Sequence, residues 1–109
     1  MFGYLGSMKC QPGHRDEVVA ILMSGLDGLA AVGCQQYTVA VDVADDVTIW
    51  VTEVWLTKQA HDDSLELPET QDAIKRAMPM LTGEFSGTET AVYGGLGLPH
   101  LPPPPRAAE

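Results

Sequence analysis

Positive charge is scarce in this sequence: six Lys and Arg stand against fifteen Asp and Glu, a formal net charge of −9 over 109 residues. An acidic body repels phosphate backbones and anionic lipid, so neither nucleic acid nor a membrane surface is expected as a partner. No stretch approaches the ~20 apolar residues that span a bilayer. The opening Met1-Phe2-Gly3-Tyr4 places no basic residue ahead of an apolar run, so no signal peptide is read there and the expected compartment is the cytoplasm. Cysteine is equally sparse. Cys10 and Cys34 match no metal-ligand spacing and are expected to be reduced thiols packed as small hydrophobes. With 45% hydrophobic and 19% charged residues, the remainder is the composition of one globular domain.

Along the chain, FGYLGSMKC (residues 2–10) reads as a strand with Phe2, Tyr4 and Met8 on one face. Pro12 and Gly13 break it, and Gly13 is placed to cap a helix whose first turn carries Asp16 and Glu17. Val18, Ile21, Leu22, Gly25 and Leu29 share a face, predicting one amphipathic helix over residues 14–31. Gly25 and Gly28 are its weak points. CQQYTVAVD (34–42) and VTIWVTEVW (47–55) are β-rich and joined by a short acidic turn, which predicts a hairpin. Placing Asp42 opposite Val47 sets Val39 against Trp50 and Tyr37 against Thr52 on one side of the sheet. Cys34 then faces Trp55, and Gln36 faces Glu53, on the other.

The second of these strands is apolar on both faces, the mark of a central strand covered on both sides. TKQAHDDSLE (57–66) is a short polar helix or turn. Pro68 opens a second amphipathic helix carrying Ala73, Ile74, Ala77, Met78 and Leu81, which Pro79 should kink or end. EFSGTETAVY (84–93) is the last strand, and residues 99–109 are a Pro-rich tail outside a domain of residues 1–98. The order β-α-β-β-α-β predicts an α+β, ferredoxin-like split β-α-β fold: a four-stranded antiparallel sheet with both helices on one face. The sheet's other face has nothing from its own chain to cover it. Pairing it with a second copy gives a homodimer, a dimeric α+β barrel.

The run IWVTEVW followed by KQAHDDSL, then a proline and an amphipathic helix, resembles the antibiotic biosynthesis monooxygenase domain family. The resemblance also includes the Pro12-Gly13 turn, the Gly33-Cys34 lead-in to the second strand and Tyr37 three residues on. It extends to the acidic hairpin (Asp42, Asp45, Asp46), the Glu53-Val54-Trp55 strand end, His61 six residues later, and the AMPML and TAVYGG segments. It implies the ferredoxin-like fold and a sheet-to-sheet homodimer. It implies, for the members with known activity, oxidation of quinols or aromatic polyketides by molecular oxygen with no metal, flavin or other cofactor.

That chemistry needs an apolar pocket for a small aromatic substrate, a base, and donors that hold an anionic intermediate. His61 is the expected base, because unperturbed imidazole titrates near neutrality. Glu53 shares the sheet face of Trp55 and is expected to orient His61 or a Lys. Trp55, Tyr37 and Trp50 are the expected substrate-binding residues, with a stacking face and N–H or O–H donors. For Trp55 and Trp50 the alternative is core or interface packing, and for Glu53 it is a structural ion pair. No metal site is expected, since His61, Asp62 and Asp63 fan out around a helix instead of converging. Haem held through His61 is a minor alternative: the haem-degrading relatives rely on an asparagine, and this chain has none. His14 and His100 are read as solvated. The competing reading of the whole is a non-catalytic small-molecule-binding or scaffolding dimer that keeps the fold without the reaction.

Overall fold

In a computed structural model that describes residues 1–99, the chain runs β1 (Phe2–Cys10), α1 (Arg15–Met23), α2 (Leu26–Ala31), β2 (Cys34–Val41), β3 (Thr48–Trp55), α3 (Lys58–Ser64), α4 (Pro68–Ala77), a 3-10 turn (Met78–Met80) and β4 (Leu81–Ala91). His100 and nearly all of the predicted tail lie outside the described residues. The strands form one antiparallel sheet in the order β2-β3-β1-β4, with β3 and β1 central. This is the ferredoxin-like α+β fold, and the two-faced apolar pattern of β3 is the reason that strand sits inside the sheet. Among the described residues no helix is long and apolar enough to cross a membrane.

Side-chain alternation sorts the sheet into two faces. Met8 and Cys10 of β1 lie beside Ile49 and Val51 of β3, and Val18 of α1 and Ala77 of α4 close over them as one buried core. The opposite face carries Leu5 and Trp50, which are 44% and 39% exposed. Pro79 ends α4 as expected: the chain passes through the 3-10 turn and starts β4 at Leu81. Both cysteines are buried free thiols. Burial raises the Cys34 pKa to about 11, so that thiol stays protonated at neutral pH.

Three local expectations are corrected. The helix over residues 14–31 is two helices, because Gly25 takes φ +82°, a left-handed conformation that ends α1 and turns the chain into α2. Its first cap is His14, not Gly13, with no side-chain hydrogen bond. The hairpin register is shifted by one residue over most of its length: Asp42 donates its N–H to the Thr48 carbonyl, Tyr37 lies opposite Glu53, and Val39 lies opposite Val51. Cys34 still faces Trp55, so one extra residue, Gln35, is absorbed in β2 as a bulge. The loop decides the shift. Asp45 accepts the N–H groups of Val47 and Thr48, and Arg15 donates to the Asp45 carbonyl at 2.7 Å, which fixes a longer turn than the assumed one.

Candidate functional site

Beyond the core, the helices and the sheet part around a cavity of about 620 Å³. Its sheet wall includes Tyr37, Glu53 and Trp55, and α1, α2 and α4 supply Ile21, Leu29 and Ile74 among others. The shifted hairpin register creates this wall. With Tyr37 opposite Glu53 rather than Thr52, the phenol stands on the helix-covered face, next to the carboxylate. A recess of about 340 Å³ between α2 and α3 shares Val32, Ser64 and Leu67 with the cavity.

The chemistry gathers where β3 meets α3. Thr57 caps α3 by accepting the Ala60 N–H at 3.0 Å, and this sets the turn that directs His61 onto the sheet. His61 is only 9% exposed, and its ring lies against three others: Phe2 at 5.2 Å, Tyr4 stacked at 5.4 Å and Trp55 edge-on at 5.7 Å. Its Nδ1 is 2.9 Å from Asp62 Oδ1. An ionised carboxylate only accepts, so Nδ1 is the donor in this bond. The same bond is the main cause that lowers the Asp62 pKa.

Nε2 is 4.0 Å from Glu53 Oε1, which also accepts the Trp55 Nε1–H at 2.9 Å. Burial raises the Glu53 pKa, while the Trp55 hydrogen bond and nearby His61 pull it down. Burial likewise raises the Tyr37 pKa, and the Glu53 and Cys34 charges add to the effect. Tyr37 therefore remains an O–H donor at neutral pH. The result is a wall offering a proton acceptor and a proton donor side by side, with an imidazole behind the acceptor.

Comparison with known proteins agrees with this architecture. The family model described as antibiotic biosynthesis monooxygenase matches residues 1–76. The chain belongs to that family. A Chloroflexus aurantiacus protein described as a candidate antibiotic biosynthesis monooxygenase is 38% identical, with a TM-score of 0.73 over 86% of this chain and 96% of its own. Rv0793 of Mycobacterium tuberculosis shares the fold at 17% identity, with a TM-score of 0.74 over 86% of this chain and 96% of its own. PA3566 of Pseudomonas aeruginosa does so at 17% identity and a TM-score of 0.72, over 82% and 90%. No curated protein matches the chain.

Within this antibiotic biosynthesis monooxygenase domain, the expected site residues divide. Glu53, Trp55 and Tyr37 share the cavity wall, and His61 stands behind Glu53 without lining the cavity itself. Trp50 is not brought to them. It sits on the opposite face of the sheet, its Nε1–H donated to Asp42 Oδ2 at 2.8 Å, because it is one residue out of phase with Val51 and Glu53. Haem ligation through His61 does not fit either, since Nε2 points at Glu53 and three aromatic rings enclose the imidazole.

Tyr4 and Phe2 were missed as site residues. Tyr4 lies flat on the sheet toward Gly87, where any Cβ would collide with its hydroxyl. The shared face of Phe2 and Tyr4 was visible in β1; that His61 would pack against it was not.

Proposed function

We propose that this chain is a cofactor-independent monooxygenase that oxidises a polycyclic phenol or quinol inside the helix–sheet cavity. The observation that carries the reading is Glu53: a carboxylate of raised proton affinity in a largely apolar wall, beside a protonated phenol and backed by an imidazole. A substrate hydroxyl docked on Glu53 loses its proton to the carboxylate, which the His61 ring backs at 4.0 Å. Tyr37 donates to the phenolate oxygen left behind, and Trp55 offers a ring against which a flat substrate packs. The electron-rich ring then reduces dioxygen directly. A C–O bond forms at the para carbon, that carbon loses its hydrogen, the O–O bond breaks, and the second oxygen leaves as water. A phenol with a para C–H plus O₂ thus gives a para-quinone and H₂O.

This reading reverses the order of roles expected from the sequence, with Glu53 meeting the substrate and His61 acting through it. Oxygen uptake by protein stripped of metal and flavin, with a panel of polycyclic phenols and hydroquinones, tests the proposal. Glu53→Gln should lower uptake by about 100-fold or more, and His61→Ala should lower it less. Uptake unchanged in Glu53→Gln would refute the assignment. No uptake from the folded wild type would leave the non-catalytic binding dimer.

We also infer a homodimer through the helix-free face of the sheet, where Leu5 and Trp50 are half-exposed. Sedimentation should return twice the chain mass, and Trp50→Glu should return the monomer. A wild-type monomer at tens of micromolar would refute this.

A further inference from the structure

The ionisable groups of the cavity wall are of one kind. Glu53 and Glu69 line it along with the Tyr37 phenol, and among the described residues no Lys, Arg or His does. Four of the described cations are paired away from it: Lys9 with Glu84, Arg15 with Asp45 at the hairpin loop, Lys58 with Glu89 and Asp62, and Arg76 with Asp72, while Lys75 lies on α4 outside the cavity lining. A negative charge entering the cavity would lose its hydration and meet no compensating partner. It would also lie close to Glu53 in a low-dielectric space, where charges act more strongly than in water.

The wall is prepared for the opposite kind of ligand. Oε1 of Glu53 is engaged by the Trp55 N–H, whereas among the described residues neither its Oε2 nor the Tyr37 hydroxyl has a hydrogen-bond partner. Among the described residues no buried side-chain oxygen or nitrogen is left unsatisfied, so both of these atoms are accessible to solvent. An acceptor oxygen is therefore on offer in a wall otherwise rich in Ile21, Leu22, Leu29, Trp55 and Ile74.

We propose that the cavity selects by charge, admitting uncharged or ammonium-bearing aromatic molecules that have a donor for Glu53 and rejecting carboxylates and phosphates of the same shape. This rests on the cavity being the ligand site of the preceding section, and it narrows the substrate class there to aromatics without an acidic group. Glu53 is the selecting residue, and Glu69, exposed on α4, is a weaker contributor.

The test is calorimetric binding at pH 8 of three probes of nearly equal shape: 1-naphthylmethanol, 1-naphthylmethylammonium and 1-naphthoate. The ammonium should bind more tightly than the alcohol, and the naphthoate at least about tenfold more weakly, as expected for a unit charge a few ångströms from a partly desolvated carboxylate. Glu53→Gln should bring the three affinities together, and Glu69→Gln should narrow the gap slightly. Circular dichroism confirms that each variant is folded; if Glu53→Gln is not, the wild-type ranking and Glu69→Gln decide.

Naphthoate binding as tightly as the alcohol would overturn the proposal. So would a ranking unchanged in folded Glu53→Gln, or no binding by any probe at millimolar concentration. None of the probes is a phenol, so the ranking is independent of turnover. An intact ranking without oxygen uptake removes the oxygenase reading and leaves the charge selection standing.

Discussion

The space between the helices and the sheet is solid at one end and hollow at the other, and the same elements build both. At the solid end Val18, Ile49 and Cys10 are essentially inaccessible, and the hairpin loop beside them is tied by Arg15, Asp42 and Asp45. At the hollow end α2 buries none of its residues, and β3 presents Glu53 and Trp55 where it had presented Ile49 and Val51. One strand thus changes its inward side chains from branched aliphatics to a carboxylate and an indole within a few residues. Packing at one end provides the stability against which the other can hold a buried acid in an unfilled space.

Substitutions should separate the two ends. Ile49→Ala empties part of the solid end and should lower the unfolding free energy by about 2–5 kcal/mol in a denaturant titration. Naphthalene binding by the fraction that remains folded should be unchanged; a parallel loss of affinity would mean that the ends are not independent.

Acid and base should also act on opposite ends. Asp42 and Asp45 have lowered pKa values, Asp42 chiefly from the Trp50 and Ala44 hydrogen bonds and Asp45 chiefly from the Val47 and Thr48 N–H groups. A lowered folded pKa contributes stability that is present above the unfolded value near 3.8 and is lost as pH falls through the folded one. Glu53 is raised above 4.5, so its contribution is complete below that value and is lost as pH rises through its folded pKa. Asp45→Asn should therefore flatten the acid side of a stability–pH curve, and Glu53→Gln the side just above pH 4.5. These are small effects, read as shifts in thermal midpoint. A Glu53→Gln curve that runs parallel to wild type would show that this carboxyl is not held in the desolvated setting described.

Much of this was legible in the residues. The two-faced run TIWVTEVW made β3 central, and Pro68 and Pro79 bracketed α4 and the turn after it. Gly25 carried a visible warning, yet an unbroken apolar periodicity outweighed it; only a backbone angle distinguishes a tolerated glycine from a helix break. The register slip had no signal in composition, because it depends on Asp45 gathering loop N–H groups and on one residue bulging out of β2. His61 lies in a polar run whose pattern suggests a solvated helix, and its burial comes from Phe2 and Tyr4, some sixty positions away in sequence. Trp50 was grouped with Trp55 by residue type, where its alternation with Glu53 already placed it on the other face.

The bulge at Gln35 has a consequence for how such sheets diversify. Were Gln35 held in the regular ladder instead, the alternation of β2 after Cys34 would reverse, and Gln36, Thr38 and Ala40 would replace Tyr37, Val39 and Val41 against the helices. The bulge thus keeps an aromatic, hydroxyl-bearing wall where a regular strand would present an amide-lined one, and loss of the Gln35 codon would close the ladder with Tyr37 still opposite Glu53. In a set of related sequences, the parity of the apolar alternation downstream of the Gly33-Cys34 pair would announce which members carry the bulge before any of their folds were determined.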